Sequence, residues 1–162
     1  IPETTKKDVF SKGSLELSDR VYKGEIKNEL PHGTGKVSFK NGDYYDGQLV
    51  HGKFEGEGIM VKKEKGKLFR YNCRWRNNLQ NGYGTCKITW KDYSVDRLET
   101  YEGNFENGKY HGKGKLKNAD GNIYEGDFKN GLEHGYGVEI SDGVKNYGRY
   151  KDGICIEKIE DK

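Results

Sequence analysis

The chain repeats one short phrase at a fixed interval. Residues 124–131 read Tyr-Glu-Gly-Asp-Phe-Lys-Asn-Gly and residues 101–108 read Tyr-Glu-Gly-Asn-Phe-Glu-Asn-Gly, so the two copies begin 23 residues apart. The phrase also begins at Tyr22 and Tyr45 and, in degraded form, at Tyr71. A constant period of this length is typical of a stacked array in which each unit contacts only its neighbours. We therefore expect the protein to work through an extended surface.

The composition is typical of a thin, folded array. At 162 residues the chain is long enough for one domain, but its hydrophobic fraction of 31% and mean hydropathy of −1.06 are low for a thick two-layer core. Aromatic residues make up 12% of the chain, and they and the 24 glycines recur in register, which argues against disorder. We expect the apolar groups to be buried between successive repeats.

Each repeat predicts one antiparallel β-hairpin. Tyr101, Gly103 and Phe105 alternate with polar residues and so share one face of a strand. The pair Asn107-Gly108 is a turn signal, and a second alternating run follows it. On the face that carries Tyr and Phe, a glycine leaves a slot that a neighbouring ring can cover. The predicted fold class is all-β: an elongated single-layer antiparallel β-meander of stacked ~23-residue hairpins, twisted and groove-shaped.

The third repeat departs most from the pattern. Cys73 replaces the glycine of the Tyr-x-Gly phrase, and Asn78 replaces the turn glycine, so the local curvature there is open. Half-repeats and tails are predicted at both ends of the array. The predicted divisions are an N-terminal tail or cap 1–12, a half-repeat 13–21, repeats 22–44, 45–70, 71–100, 101–123 and 124–145, a half-repeat 146–156 and a C-terminal tail 157–162.

The pattern Tyr-x-Gly-x-Φ-x-x-Gly-x-x-x-Gly-x-Gly, repeated at this spacing over residues 13–156, resembles the membrane occupation and recognition nexus (MORN) repeat. The resemblance implies a groove-shaped single-layer sheet without catalytic machinery of its own. It also implies a scaffold in a cytoskeletal, ciliary or membrane-contact setting, hence a cytoplasmic protein within a larger complex. Some family members are fused to lipid kinases or methyltransferases, and binding of acidic phospholipids has been proposed for the family.

Charge and cysteine content give only weak guidance about partners and compartment. The formal net charge of +3, from 29 basic and 26 acidic side chains, gives no general attraction to nucleic acid or membrane. Cys73, Cys86 and Cys155 form no C-x-x-C pair and are odd in number, which favours reduced thiols over a disulfide framework. No stretch approaches the ~20 apolar residues that a membrane-spanning helix needs.

No motif predicts catalysis. Residues 108–113 are rich in glycine and lysine, but the spacing and the missing Ser/Thr argue against a P-loop. His32, His111 and His134 fill the same slot before Gly-x-Gly, and His51 also precedes a glycine. Packing or turn hydrogen bonding is favoured over a metal site there, because no Cys or acidic residue joins them at ligand spacing. We expect no enzyme activity, no cofactor and no metal site.

The aromatic residues predict the first candidate surface. A one-layer sheet has no second layer to cover an aromatic face, so part of that face should stay accessible and bind an amphipathic helix or extended peptide. The alternative is that the rings only hold the sheet together. We call this set the aromatic ladder, and its members are Tyr22, Tyr45, Tyr71, Trp75, Tyr101, Phe105, Tyr124, Phe128 and Tyr150.

The second candidate surface is basic. Alternation places Arg70, Arg74 and Arg76 on one face of a strand, where they could hold an acidic segment or anionic lipid headgroups. The alternative is a solvated face balanced by acids on adjacent strands. Nucleic acid is less favoured because the aromatic residues of this strand fall on the opposite face, where stacking and phosphate contacts cannot converge.

Together these patterns predict a non-catalytic scaffold that binds a helical or extended segment of a partner protein along the aromatic ladder. Two other functions stay open. One is an adaptor for acidic phospholipids, such as phosphoinositides or phosphatidylserine, and the other is an accessory repeat module of a larger enzyme.

Overall fold

One open antiparallel sheet accounts for the strands of this protein. The computed structural model describes residues 5–160, and these form a 13-stranded sheet in which each strand pairs with the next along the chain. The predicted all-β meander is therefore confirmed. The strands are β1 (Phe10–Glu16), β2 (Arg20–Lys27), β3 (Leu30–Phe39), β4 (Tyr44–Val50), β5 (Lys53–Glu64), β6 (Lys67–Arg76), β7 (Leu79–Asp92), β8 (Val95–Glu106), β9 (Lys109–Lys117), β10 (Ile123–Lys129), β11 (Leu132–Ser141), β12 (Val144–Lys151) and β13 (Ile154–Ile159).

Two-residue turns connect the strands within the repeats. Asn107 and Gly108 both have positive φ, 49° and 82°, as a tight hairpin turn requires. In the third repeat Asn77 and Asn78 adopt the same conformation, with φ of 49° and 69°. Asparagine tolerates this region better than most residues, so the loss of the turn glycine leaves the turn intact.

The sheet extends beyond the predicted array at both ends. β1 begins at Phe10, inside the predicted tail 1–12, because Phe10 pairs with Lys27 across β2. The chain just before it is also bonded, since the Asn28 amide donates to the Val9 carbonyl at 2.9 Å. At the other end β13 continues to Ile159 by pairing with β12. The remainder of the predicted tails, residues 1–4 and 161–162, lies outside the described residues.

A row of paired glycines crosses the sheet at right angles to the strands. Each of β1 to β12 contributes one residue, and Cys73 in β6 is the one member that is not glycine. The predicted slot is present, because rings of neighbouring residues lie across the glycines. A Cβ atom on Gly114 would lie 2.5 Å from the ring of Tyr101. The glycines of the row are Gly13, Gly24, Gly35, Gly47, Gly58, Gly84, Gly103, Gly114, Gly126, Gly137 and Gly148.

The tyrosine that opens a regular repeat is held by a hydrogen bond as well as by packing. Its hydroxyl group reaches over the glycine row and donates to the backbone carbonyl three residues later. This bond satisfies a polar group that is otherwise withdrawn from water. The pairs are Tyr22 to Glu25 at 2.6 Å, Tyr45 to Gln48 at 2.7 Å, Tyr101 to Asn104 at 2.6 Å and Tyr124 to Asp127 at 2.9 Å.

The core lies on one side of this single layer and consists of rings that cover one another. Tyr101 stacks on Tyr110 at a centroid distance of 3.7 Å and meets Phe105 and Phe128 edge-on at 5.2 and 5.3 Å. Aromatic pairs in these geometries contribute about 0.5–1.5 kcal/mol each beyond the area they bury. Stability therefore comes from contacts between neighbouring repeats on one face of the sheet.

The third repeat fills its part of the core with different residues. The side chain of Cys73 occupies the space over Gly84 that a tyrosine ring fills elsewhere. Tyr71 is displaced to one side, where its ring stacks parallel to Phe69 at 6.2 Å. The indole of Trp75 covers the neighbouring strand instead and donates from Nε1 to the Gly58 carbonyl at 2.9 Å.

Candidate functional site

The aromatic ladder is the core of the sheet. Eight of its nine rings are buried, with no more than 7% of each residue accessible, and Tyr71 is partly buried. The expectation that these rings stay accessible for a partner is therefore wrong for those eight. The rings themselves replace the missing second layer: the opening tyrosines cover the glycine row, and Tyr101 and Tyr124 pack edge-on against Phe128 and Tyr150 of the next repeat.

A groove lies on the opposite face. It has a volume of about 800 Å³, and its lining runs from Tyr83 in β7 to Ile159 in β13. In a flat sheet, strands six positions apart would be separated by about 29 Å, at ~4.8 Å per strand. Side chains from both strands line one groove, so the sheet is concave on this face. We call it the concave face, and the predicted groove shape is confirmed.

Two exposed tyrosines of the groove come from the middle position of Gly-x-Gly. Tyr83 lies between Gly82 and Gly84, and Tyr136 lies between Gly135 and Gly137. Because side chains alternate between the two faces of a strand, this middle residue points to the face opposite the rings, which is the concave face. Tyr83 is 56% exposed and Tyr136 is 64% exposed. Sequence reasoning missed these two tyrosines, although the glycines that flank them are a usable signal.

The two ends of the groove differ in polarity. Toward β13 the lining is apolar and consists of Tyr136, Val138, Tyr147 and Ile159. Tyr147 pairs directly with Val138 on one side and with Ile159 on the other. Such a patch of rings and aliphatic groups is a suitable anchor for a partner. Toward β7 the lining is polar, and the Tyr83 hydroxyl donates to the carboxylate of Glu102. The polar lining residues at that end are Glu102, Asn104, Lys113, Lys115 and Glu125.

Burial alternates along β6, so the three candidate arginines lie on the concave face, but they differ in their surroundings. Arg74 is paired with Glu57, with Nε 3.2 Å from the carboxylate. A carboxylate of the adjacent strand β5 therefore balances the charge of Arg74. Arg76 lies at the end of β6 and lines a separate recess of about 700 Å³ beside the hairpin turns. Arg70 has no ion pair among residues 5–160. The arginines do not form one uniform anion-binding strip.

The repeated histidines bind the turns of the next repeat. The Nδ1 atom of His32 accepts from the His51 amide, and Nδ1 of His111 accepts from the Asn130 amide, both at 3.4 Å. This is the turn hydrogen bonding favoured from sequence. His134 does not repeat this bond: its Nδ1 is buried without a hydrogen-bond partner among residues 5–160, and the Asp152 carboxylate lies 3.9 Å away. Within residues 5–160 no group of three or more His, Cys, Asp or Glu side chains is placed to hold a metal ion.

The cysteines are free thiols in two different environments. Cys73 and Cys86 are buried on the core side of the sheet, and Cys155 is exposed on β13. Burial raises the pKa of Cys86 to about 11 and the pKa of Cys73 to about 12. Because the thiolate is the reactive form, both buried thiols are poor nucleophiles at neutral pH.

The secondary structure of the described residues limits the class of protein. They include no helix that is long and apolar enough to cross a bilayer. What they do form is a curved, single-layer repeat sheet with a ring-packed core on one side and an open groove on the other. This arrangement defines a repeat protein that presents a surface.

Comparison with protein families agrees with this architecture. The family model described as MORN repeat matches residues 22–44, 45–64, 74–94, 101–123 and 124–144. These segments cover more than half of the chain. The chain belongs to the MORN repeat family.

Several curated proteins resemble the chain. It is 35% identical to human "Alsin" over 148 residues, which is 86% of this chain and 8% of that protein. It is 33% identical to human "ALS2 C-terminal-like protein" over 105 residues, 64% of this chain and 10% of that protein. A weaker similarity, 29% over 69 residues, joins it to "Inactive protein tyrosine kinase pTKL" of Plasmodium berghei, of which it covers 5%. The chain thus spans at most a tenth of the length of these relatives.

Proposed function

We propose that this array is a non-catalytic scaffold module that holds a helical or extended segment of a partner protein in the groove of its concave face. The observation that supports the proposal best is the exposure of aromatic and aliphatic side chains in a preformed groove. Tyr136 and Tyr147 are 64% and 36% exposed there, whereas eight of the nine rings of the aromatic ladder on the other face are buried. Exposed tyrosines on a rigid support are favourable anchors in protein interfaces.

The shape of the groove favours a narrow ligand. Its volume is about 800 Å³, and residues of seven strands line it. A single polypeptide segment laid across the strands would contact both its apolar and its polar ends. A globular domain would touch only the rims. This geometry fits the helix-in-groove and extended-peptide modes of recognition.

The context of the module is part of the same proposal. The aligned residues make up only 10% and 8% of two of the relatives, which suggests that the array is one part of a larger protein, as an accessory module would be. We propose that it connects that protein to a cytoplasmic assembly at the cytoskeleton or at a membrane. Lipid binding by the three arginines is less favoured, because Arg74 is already paired with Glu57.

Site-specific photo-cross-linking in the intact protein tests the groove. A photoreactive phenylalanine derivative at position 136 or 147 should cross-link one and the same segment of a partner, identified by mass spectrometry. The matched control is position 93, because Tyr93 is 99% exposed but lies at the tip of the β7–β8 hairpin outside the groove. Different products from the two groove positions, or the same product from all three, would contradict the proposal.

A paired variant separates binding from folding. Tyr136→Ser/Tyr147→Ser removes two exposed rings, so we expect the cross-linked segment to lose affinity by about tenfold or more, as hot-spot truncation does. The thermal unfolding temperature should stay close to that of the parent protein, because exposed side chains carry little folding energy. Tyr93→Ser should change neither quantity. Unchanged affinity in the groove variant would remove the basis of the proposed function.

A further inference from the structure

Two cations face each other on the concave face without a counter-charge. Arg70 in β6 and Lys87 in β7 are direct cross-strand partners. Both side chains are exposed, and alternation places them on the face opposite Trp75 in β6 and Cys86 in β7, which are buried. Like charges in directly opposed positions destabilise a sheet. A repulsive pair of this kind is unfavourable for folding alone, so it points to an anion that is bound in the functional state.

The cations continue along the same row. Lys87 pairs with Thr100 in β8, and Thr100 pairs with Lys117 in β9. The positive charges of Arg70, Lys87 and Lys117 therefore extend over about 14 Å, at ~4.8 Å per strand. No acidic residue occupies this row between them.

None of these three cations is neutralised within the described residues. The ion pairs of residues 5–160 include Arg74, Lys91 and Lys113 but not Arg70, Lys87 or Lys117.

The nearby carboxylates are already bonded elsewhere. Asp96 pairs with Lys91 at 3.2 Å, and Glu102 accepts the Tyr83 hydroxyl. Glu102 keeps its charge, but neither carboxylate forms an ion pair with Arg70, Lys87 or Lys117, so these three cations can bind an external anion.

An apolar row adjoins the cations. Leu68 in β6 pairs with Thr89 in β7, and Thr89 pairs with Leu98 in β8. The two leucines are 44% and 49% exposed and line a recess of about 710 Å³. We call the set Leu68, Arg70, Lys87, Leu98 and Lys117 the cationic shelf. It presents positive charge and aliphatic surface side by side.

We propose that the cationic shelf binds an acidic segment of a partner polypeptide, with the carboxylates on the row of cations and the apolar side chains on the two leucines. This inference rests on the proposed function, since the shelf lies on the same concave face as the groove. Charge complementarity favours this ligand. About 14 Å corresponds to about ten residues of helix or four of extended chain, so a short stretch of Glu and Asp can meet all three cations.

Two other anionic partners fit less well. A flat bilayer would meet the rims of a concave sheet before it reached a row on the inner surface. A nucleic acid strand that continued into the groove would bring phosphates against Glu102 and Glu125, which line it. Both carboxylates would repel such a backbone. A polypeptide can match negative charge at the shelf and apolar character in the groove.

The binding test uses the whole protein and three synthetic peptides. The first is patterned as an amphipathic helix of Glu, Leu and Ala, the second has Lys for Glu, and the third has Ser for Leu. Fluorescence anisotropy should show binding of the first peptide and weaker binding of the third. The second peptide should not bind. Affinity for the first peptide should fall as salt rises from about 0.05 to 0.3 M, because exposed charges are screened. Equal binding of the Glu and Lys peptides would overturn the inference.

Charge-reversal variants locate the binding to the shelf. Arg70→Glu/Lys87→Glu should weaken binding of the Glu peptide by more than about tenfold, as loss of complementary charge does. The control Lys109→Glu/Lys129→Glu changes the net charge equally at two exposed hairpin ends and should leave binding within about twofold. An equal loss in both variants would overturn the inference. Thermal unfolding checks that each variant is folded.

Further comparisons separate binding at the shelf from binding in the groove, and an acidic peptide from other anionic ligands. If Tyr136→Ser/Tyr147→Ser removes the cross-linked partner and the shelf variant does not, the proposed function stands and the acidic-segment inference fails. If the shelf variant loses the Glu peptide selectively, the inference is supported. Vesicles containing phosphatidylserine, or an oligothymidylate, that bind more tightly than the Glu peptide in a shelf-dependent manner would overturn it in favour of a membrane or a nucleic acid.

Discussion

Cys73 lies directly between Gly58 and Gly84, at the one place from Gly13 to Gly148 where the row of paired glycines is interrupted. Its side chain fills the slot over Gly84 that the opening tyrosine fills in the regular repeats. In the same repeat Tyr71 stacks on Phe69. The core of the third repeat is therefore arranged differently where Cys73 stands in place of a glycine.

This relationship predicts a strong coupling between Cys73 and Gly84. Gly84→Ala would place a methyl group inside the Cys73 side chain, so we expect a loss of about 1–3 kcal/mol in the free energy of unfolding. Cys73→Gly should partly rescue Gly84→Ala, because the backbone of β6 stays close after the thiol is removed. Chemical denaturation of the two single variants and the double variant measures the coupling energy. Additive effects would show that the thiol does not fill this slot.

The regular repeats predict a contrast between two glycines. Gly114→Ala should destabilise the protein by about 1–3 kcal/mol or more, since its Cβ would lie 2.5 Å from the Tyr101 ring. Gly13→Ala is the matched control at the first strand of the same row, where the nearest atom to a Cβ is Ile26 Cδ1 at 3.7 Å. We expect that change to be neutral within about 0.5 kcal/mol in urea unfolding. Similar losses at both sites would contradict the ring-over-glycine packing.

The hydroxyl of an opening tyrosine can be tested alone. Tyr101→Phe removes the bond to the Asn104 carbonyl at 2.6 Å and leaves the ring in place. We expect a loss of about 1 kcal/mol, the usual net value of one hydrogen bond with a partner left unsatisfied. Tyr93→Phe at the exposed hairpin tip should have no measurable effect on thermal unfolding. If Tyr101→Phe left the free energy of unfolding unchanged, water would have to replace the hydroxyl group at the Asn104 carbonyl.

The buried thiols predict a loss of stability in alkali. Burial raises the pKa of Cys86 from an ordinary value of 9.0 to about 11. The folded state therefore favours the neutral thiol, and this contribution is complete below pH 9 and falls as pH rises through about 11. Burial raises the pKa of Tyr101 as well, so ionisation of its phenol disfavours the folded state above about pH 10 in the same direction.

Urea unfolding at a series of pH values from about 8 to 11 measures this loss. In Cys86→Ala the free energy of unfolding should fall less steeply between pH 9 and 11 than in the parent protein. Thiol labelling at pH 8 provides an independent check, since Cys155 is exposed and should react well before Cys73 and Cys86. Equal labelling of all three cysteines in the folded protein would contradict the buried positions.

The corrected role of the aromatic ladder affects how binding can be tested. Trp75→Ala/Tyr101→Ala would remove two buried rings, and each such change costs about 3–5 kcal/mol in a packed core. A loss of partner binding in that variant would therefore report unfolding. The exposed pair Tyr136 and Tyr147 allows the same question to be asked of a folded protein.

Local pattern was sufficient to predict the hairpins, the turns and the faces of the strands. Alternation around Tyr101 and the turn signal at Asn107-Gly108 depend on residues close in the chain, and the structure follows both. The slot at the glycines was also predictable, because it needs only a ring and the next strand. The groove was predicted as a shape, but its location on the opposite face from the rings was not.

The repeat pattern is enough to specify a meander of hairpins with a ring-bearing face, because side chains alternate between the two faces of each strand. Which face is concave, which rings are covered and which arginine is paired depend on the folded sheet. Those outcomes depend on contacts between separate strands, such as Arg74 with Glu57 and Tyr101 with Phe128. Curvature accumulates over many strands, so no single repeat contains the information that brings Tyr83 and Ile159 to the same groove.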